Sequence, residues 1–157
     1  MKKIAVLISC IIVLFLFTAC SEQKEFEPIE KFSCTISYKN TGVEYKANLK
    51  LLKGGILEVL FLSPSSINGI KYSYNGQDCT ISYNDLNVFT IPKNSIIEAL
   101  NDCFTAIQNK SANLIFNNDK YSFKTNDFTI FLNKEGYPES FEFNDIKINF
   151  SDVKIIN

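Results

Sequence analysis

The chain offers few groups that could do chemistry, and a thiol heads them. Leu16-Phe17-Thr18-Ala19-Cys20 sets a cysteine directly behind two small residues, at the end of an apolar segment. That segment opens with Met1-Lys2-Lys3 and is apolar from Ile4 to Phe17. A positive start, an apolar stretch and small residues at its end form a secretory signal. The alternative is a transmembrane helix with an incidental cysteine. A span needs about 20 apolar residues, and here the chain turns polar at once through Ser21-Glu22-Gln23-Lys24-Glu25.

Downstream lie three more thiols, Cys34, Cys79 and Cys103. A nucleophilic or general-base role usually needs an imidazole nearby, and the chain has no His. It also has no Arg, the best bidentate binder of anions, and no Trp. The cysteine spacing matches no zinc pattern. Three is odd, so pairing would leave one over. Each sits among apolar residues of its own element, which favours buried thiols acting as small hydrophobes over a disulfide. Among the carboxylates, Glu58 stands in an apolar strand and is the best candidate for a perturbed acid. The competing expectation, which we favour, turns it to the solvent side of that strand, and no partner carboxylate can be assigned. No nucleophile elbow, phosphate loop or metal signature is present. No enzyme activity, cofactor or metal is expected.

The Ala19-Cys20 pair at the end of such a signal resembles the lipobox of bacterial lipoproteins. Thr18 and Ala19 fit its small positions, and Phe17 stands where leucine is usual. The resemblance implies that the Cys20 thiol is alkylated by a diacylglycerol and residues 1–19 are removed. The new terminal cysteine then holds the domain on a membrane, because two or three acyl chains anchor almost permanently where one does not. An AT-rich composition in Lys, Asn and Ile suggests a single-membrane bacterium and the outer face of its cytoplasmic membrane. The alternative is the periplasmic side of an outer membrane.

The mature chain, 20–157, holds 138 residues, enough for one domain with one core. Without Lys2 and Lys3 it keeps 14 lysines against 17 acids, a net charge of −3. That balance gives nucleic-acid binding no electrostatic support. Residues 20–31 read as a short polar tether, with Pro28 against regular structure.

From Phe32 the pattern has period two, the signature of half-buried strands. Phe32, Cys34, Ile36 and Tyr38 alternate with polar residues. So do Tyr45, Ala47, Leu49 and Leu51 after the Asn40-Thr41-Gly42 turn. Residues 56–62 are apolar on both faces, which predicts a central or doubly covered strand. Asn75-Gly76 predicts a tight hairpin between strands at 70–74 and 79–83, and a short strand follows at 88–91. Ser95 and Glu98 form a capping box for a helix over 95–108. Its apolar stripe is Ile96, Ile97, Leu100, Cys103, Phe104 and Ile107, with Asn101, Asp102, Thr105 and Gln108 on the other face. Strands resume at 112–116, 121–124, 128–132, 141–143 and 146–150, and Val153 and Ile155 extend the last as an edge. About eleven strands and one helix predict a mainly β, α+β domain. One helix cannot cover eleven dry faces lying flat, so the antiparallel sheet must curl into an unclosed half-barrel with the helix on its concave side.

Two stretches carry a second resemblance. Leu62-Ser63-Pro64, Ile67-Asn68-Gly69-Ile70 and Tyr72-Ser73-Tyr74-Asn75-Gly76 form one. Leu132-Asn133-Lys134-Glu135-Gly136-Tyr137-Pro138-Glu139-Ser140-Phe141 forms the other. In order and turn chemistry, residues 32–152 are similar to the Lol lipoprotein-carrier superfamily (LolA/LolB-like). The resemblance implies an unclosed barrel with helix lining one mouth and an apolar cavity for lipid or acyl chains. Some tethered relatives have envelope or spore-germination roles. The absence of Arg departs from the soluble carriers, and a lipobox is at odds with free shuttling. Expected ligand-lining residues are Tyr72, Phe104, Phe123, Phe141 and Phe143. The alternative is a filled core that presents an edge or convex face to an envelope protein.

Overall fold

The computed structural model describes residues 26–90, 93 and 95–156. The signal 1–19, Cys20 and the first part of the 20–31 tether lie outside the described residues. Alternating side chains form β1 (Phe32–Asn40), β2 (Val43–Leu51), β3 (Leu57–Ser63), β4 (Lys71–Tyr74), β5 (Cys79–Tyr83) and β6 (Leu86–Thr90). Helix α1 (Ile96–Gln108) separates these from β7 (Ile115–Asn117), β8 (Lys120–Lys124), β9 (Phe128–Asn133), β10 (Pro138–Phe143) and β11 (Ile146–Ile155). All eleven strands join one antiparallel sheet in the order β6-β5-β4-β3-β2-β1-β11-β10-β9-β8-β7.

Two local meanders are therefore joined at their first and last strands. Phe32 pairs with Ile155 and Tyr38 with Ile148. Val153 and Ile155 extend β11, but in the middle of the sheet rather than at its edge. The edges are β6 and β7, which do not pair with each other, so the barrel stays open.

Helix α1 packs against both β4 and β10. Those strands are five steps apart in the sheet, or about 24 Å if the sheet were flat. A helix is only about 10–12 Å across with its side chains. The sheet must therefore curl around the helix, as a half-barrel. The dry faces of both meanders and one side of α1 make a single core. Phe32, Leu49, Leu51, Leu57, Leu100, Ile130, Leu132, Phe141 and Ile148 are buried in it.

The helix begins as its capping residues require. Ser95 is extended, and its Oγ accepts a hydrogen bond from the Glu98 N–H at 3.2 Å. Its polar face is not what spacing alone suggests, because Asn101 is buried. A 13-residue helix inside a trough is contacted on more than one side, and the apolar stripe marks only the deepest of them. The Asn101 amide reaches the Gly55 carbonyl in the β2–β3 turn. Gly55 has φ +76°, and a Cβ there would come within 3.3 Å of the Thr105 hydroxyl. The turn thus needs glycine both for its backbone and for the close approach of the helix.

Several local expectations shift. Residues 75–78 form a four-residue loop rather than a two-residue hairpin, since Tyr74 pairs with Cys79. The Asn75 Oδ1 accepts from the N–H groups of Gln77 and Asp78, so its side chain organises the loop in place of a tight turn. β3 lies inside the sheet, but its outer face is uncovered: Leu60 and Leu62 are exposed while Leu57 and Val59 are buried. Ala112 and Leu114 belong to the connection after α1, and the strand begins only at Ile115. The segment entering the sheet is not solvated throughout. Phe26 and Ile29 pack on the core.

Candidate apolar site

Along β1 the buried side chains run from Phe32 to Ile36, and Tyr38 beyond them is half-buried. Tyr38, Phe61 and Tyr72 face the first turns of α1 across a gap. Phe61 and Tyr72 meet edge to face at 5.7 Å, and Tyr38 stacks on Tyr45 at 4.8 Å with rings nearly parallel. Helix and wall leave a cavity of about 230 Å³ between them. Ile36, Val59 and Ile148 form its floor, and Ile96, Ile97 and Leu100 form its helical side. Ser95, Tyr38 and Tyr72 are the hydroxyl-bearing residues of its lining.

That chemistry suits an apolar chain with a small polar end. Burial pushes the Tyr38 phenol up to about 12, with Tyr45 and Tyr72 adding to the rise. Burial also raises Tyr72, and Cys79 adds to it. Both phenols are therefore neutral donors at any physiological pH. The volume falls below the roughly 300–1,000 Å³ of ordinary small-molecule sites, so there is no room in it for a whole lipid.

A larger groove, about 410 Å³, lies on the other side of the helix N-terminus. Its walls include Glu98, Asp102, Asp127 and Asn144 beside Phe128 and Phe143. Desolvation, and then the negative charge of Glu98, raises the Asp102 carboxyl above its ordinary value. A wall of three carboxylates repels fatty acids and phosphates, so size does not make this groove the better lipid site.

The aromatic residues named from sequence scatter across the core. Tyr72 lines the apolar cavity and Phe143 the acidic groove. Phe104 and Phe141 are buried, with Phe104 edge-on to Phe32 at 5.3 Å and Phe141 against Phe128 at 5.4 Å. Phe123 is half-buried and packs on Phe128 at 5.7 Å. Spacing does not single out Tyr38, Phe61, Ile96 and Ile148 as ligand-lining. Their period-two or helical placement marks them as dry-face residues, but not as residues the helix leaves uncovered.

Glu58 turns out from the core and forms an ion pair with Lys71 across the β3–β4 ladder. The three downstream thiols are free and buried. Burial raises all three, Cys34 to about 12. Neutral, enclosed thiols are poor nucleophiles. Among the described residues, no group of three or more His, Cys, Asp or Glu side chains is disposed to hold a metal ion.

No protein-family model matches the chain, and no curated protein matches it. Solved structures do. An uncharacterized conserved protein from Thermus thermophilus is similar with a TM-score of 0.52 at 13% identity, over 82% of this chain and 80% of that one. This similarity is one of fold. A LolA superfamily protein from Nitrosomonas europaea gives a TM-score of 0.47 at 10% identity, over 83% of this chain and 88% of its own. A DUF1329 family protein from Desulfovibrio piger gives 0.43 at 11% identity, with the same two coverages.

Proposed function

We propose that this chain is a lipoprotein of the bacterial envelope, held on the membrane through Cys20, whose LolA/LolB-like half-barrel binds an acyl chain or similar apolar ligand without catalysing a reaction. The observation that carries this is the cavity between α1 and β1, β3, β4 and β11, apolar on its walls and with Ser95, Tyr38 and Tyr72 among its lining residues. The signal-like segment before Cys20 supports the tether. The outer face of the cytoplasmic membrane is the proposed location. The test is to purify the full-length protein from its membrane, extract it and analyse the extract by mass spectrometry. A stoichiometric acyl lipid beyond the Cys20 modification is expected. Failure to recover one, together with failure of an apolar fluorescent probe to bind, would sink the ligand-binding role.

A second role, as an interaction module for an envelope protein, is favoured by a different observation. The free edge strand β6 exposes Leu86 (72%), Val88 (58%) and Phe89 (79%). An unpaired apolar edge is a template for strand addition by a partner. Cross-linking from β6 in cells that captures no protein would remove this reading.

A further inference from the structure

We propose that the opposite edge, β7 with Ile115 and Phe116, rests on the same phospholipid bilayer that holds Cys20. This builds on the lipid-anchor role of Cys20 proposed above. The length of chain before the folded body carries it. Phe26 is already docked: its ring meets Tyr121 at 4.9 Å, and a Cβ at Gly136 would lie 3.1 Å from it. Cys20 precedes Phe26 by six residues, so the two are at most about 21 Å apart even when fully extended. A lipidated Cys20 therefore keeps the β8 start and the β9–β10 turn close to the headgroups.

Beside that entry point the surface is apolar. The Tyr121 ring passes the contact on to Phe116 at 4.7 Å. Phe116 is 47% and Ile115 60% exposed, on the two faces of a strand whose other side has no partner. An aromatic and an aliphatic side chain at a sheet edge gain by entering the headgroup–acyl boundary. The lysines nearby do not make this an electrostatic attraction. Lys120 is paired with Glu139, and Lys134 lies 3.8 Å from Glu135.

The chain contains no Trp, so single reporters can be introduced. Phe116→Trp and Ile115→Trp probe the β7 edge, and Phe89→Trp on β6 is the control. Each full-length lipoprotein is purified from its membrane and reconstituted in phosphatidylcholine vesicles carrying bromine-labelled acyl chains. We expect quenching of Phe116→Trp or Ile115→Trp by at least about twofold, with Phe89→Trp unquenched. Vesicle-bound protein in which both β7 reporters escape quenching, or in which Phe89→Trp is quenched equally, overturns the docking face while leaving the anchor intact. A blue-shifted β7 reporter in a dimer freed of lipid overturns it in favour of a second copy. Full-length protein recovered in the soluble fraction, with no lipid mass on Cys20, overturns the anchor itself and the docking face with it.

Discussion

The side-chain amide of Asn101 donates to the backbone carbonyl of Gly55, from a position on α1 only 3% exposed. This one bond ties the middle of the helix to the β2–β3 turn. A Cβ at Gly76 would lie 3.5 Å from the Asn101 Oδ1, so the same side chain also sits beside the β4–β5 loop. Asn101 thereby places the middle of α1 beside two turns of the first meander.

Replacing it should be costly. Asn101→Leu keeps the branched shape, with somewhat larger bulk, but leaves the Gly55 carbonyl without its partner in a buried setting, a penalty of about 1–3 kcal/mol. Urea denaturation should show a lower midpoint with an unchanged slope. A midpoint equal to that of the parent would mean that water replaces the amide and that the bond does not position the helix.

Blocking the cavity should separate binding from folding. Ile96 is half-buried at the cavity wall, at the first turn of α1. Ile96→Trp puts a larger ring into a space of about 230 Å³. Binding of an apolar fluorescent probe should weaken at least about tenfold while the thermal midpoint stays within a few degrees. Probe binding at parental strength would indicate that the ligand enters elsewhere, with the acidic groove at Asp102 the next place to examine.

Stability should fall at alkaline pH. The Cys34 thiol rises from its ordinary 9.0 to about 12 on burial, and the Tyr38 phenol from 10.0 to about 12. Between those limits the unfolded chain has lost protons that the folded chain retains. The unfolded state therefore binds fewer protons, and unfolding free energy declines as pH rises. The contribution is whole below about pH 9 and disappears towards about 12. Denaturation midpoints measured from about pH 8 to about pH 11 should drop, and Cys34→Val should make the drop shallower. A parallel curve for the variant would assign the effect to other groups.

The pair Glu58–Lys71 should matter little. Their side chains are 23% and 41% exposed, and exposed ion pairs contribute about 0–1 kcal/mol. Glu58→Gln should leave probe binding unchanged and shift the denaturation midpoint by an amount that vanishes in high salt. A large loss of ligand binding would restore Glu58 as a functional carboxylate.

Much of the architecture could be read from the chain because its causes are local. Period-two alternation identified the strands of both meanders, and Ser95 with Glu98 located the helix start, since the cap bond needs only residues three apart. Buried, unpaired thiols at Cys34, Cys79 and Cys103 followed from their apolar neighbours. The curl followed from counting dry faces against one helix. Turns were less legible: Asn75 prefers to organise a four-residue loop with its side chain, which the Asn-Gly pair does not distinguish from a hairpin.

The sequence by itself determined a mainly β chain with one amphipathic helix, dry and wet faces on nearly every strand, and the pattern at Cys20 that resembles a lipid-attachment signal. The tertiary structure alone decided that β1 pairs with β11, that Asn101 is enclosed, that Phe104 and Phe141 fill the core while Tyr72 borders empty space, and that Phe26 is docked beside Tyr121. Alternation records which side of a strand is dry. It carries no record of how far a helix reaches along a curved sheet, and that reach determines which dry side chains pack together and which are left to line a cavity.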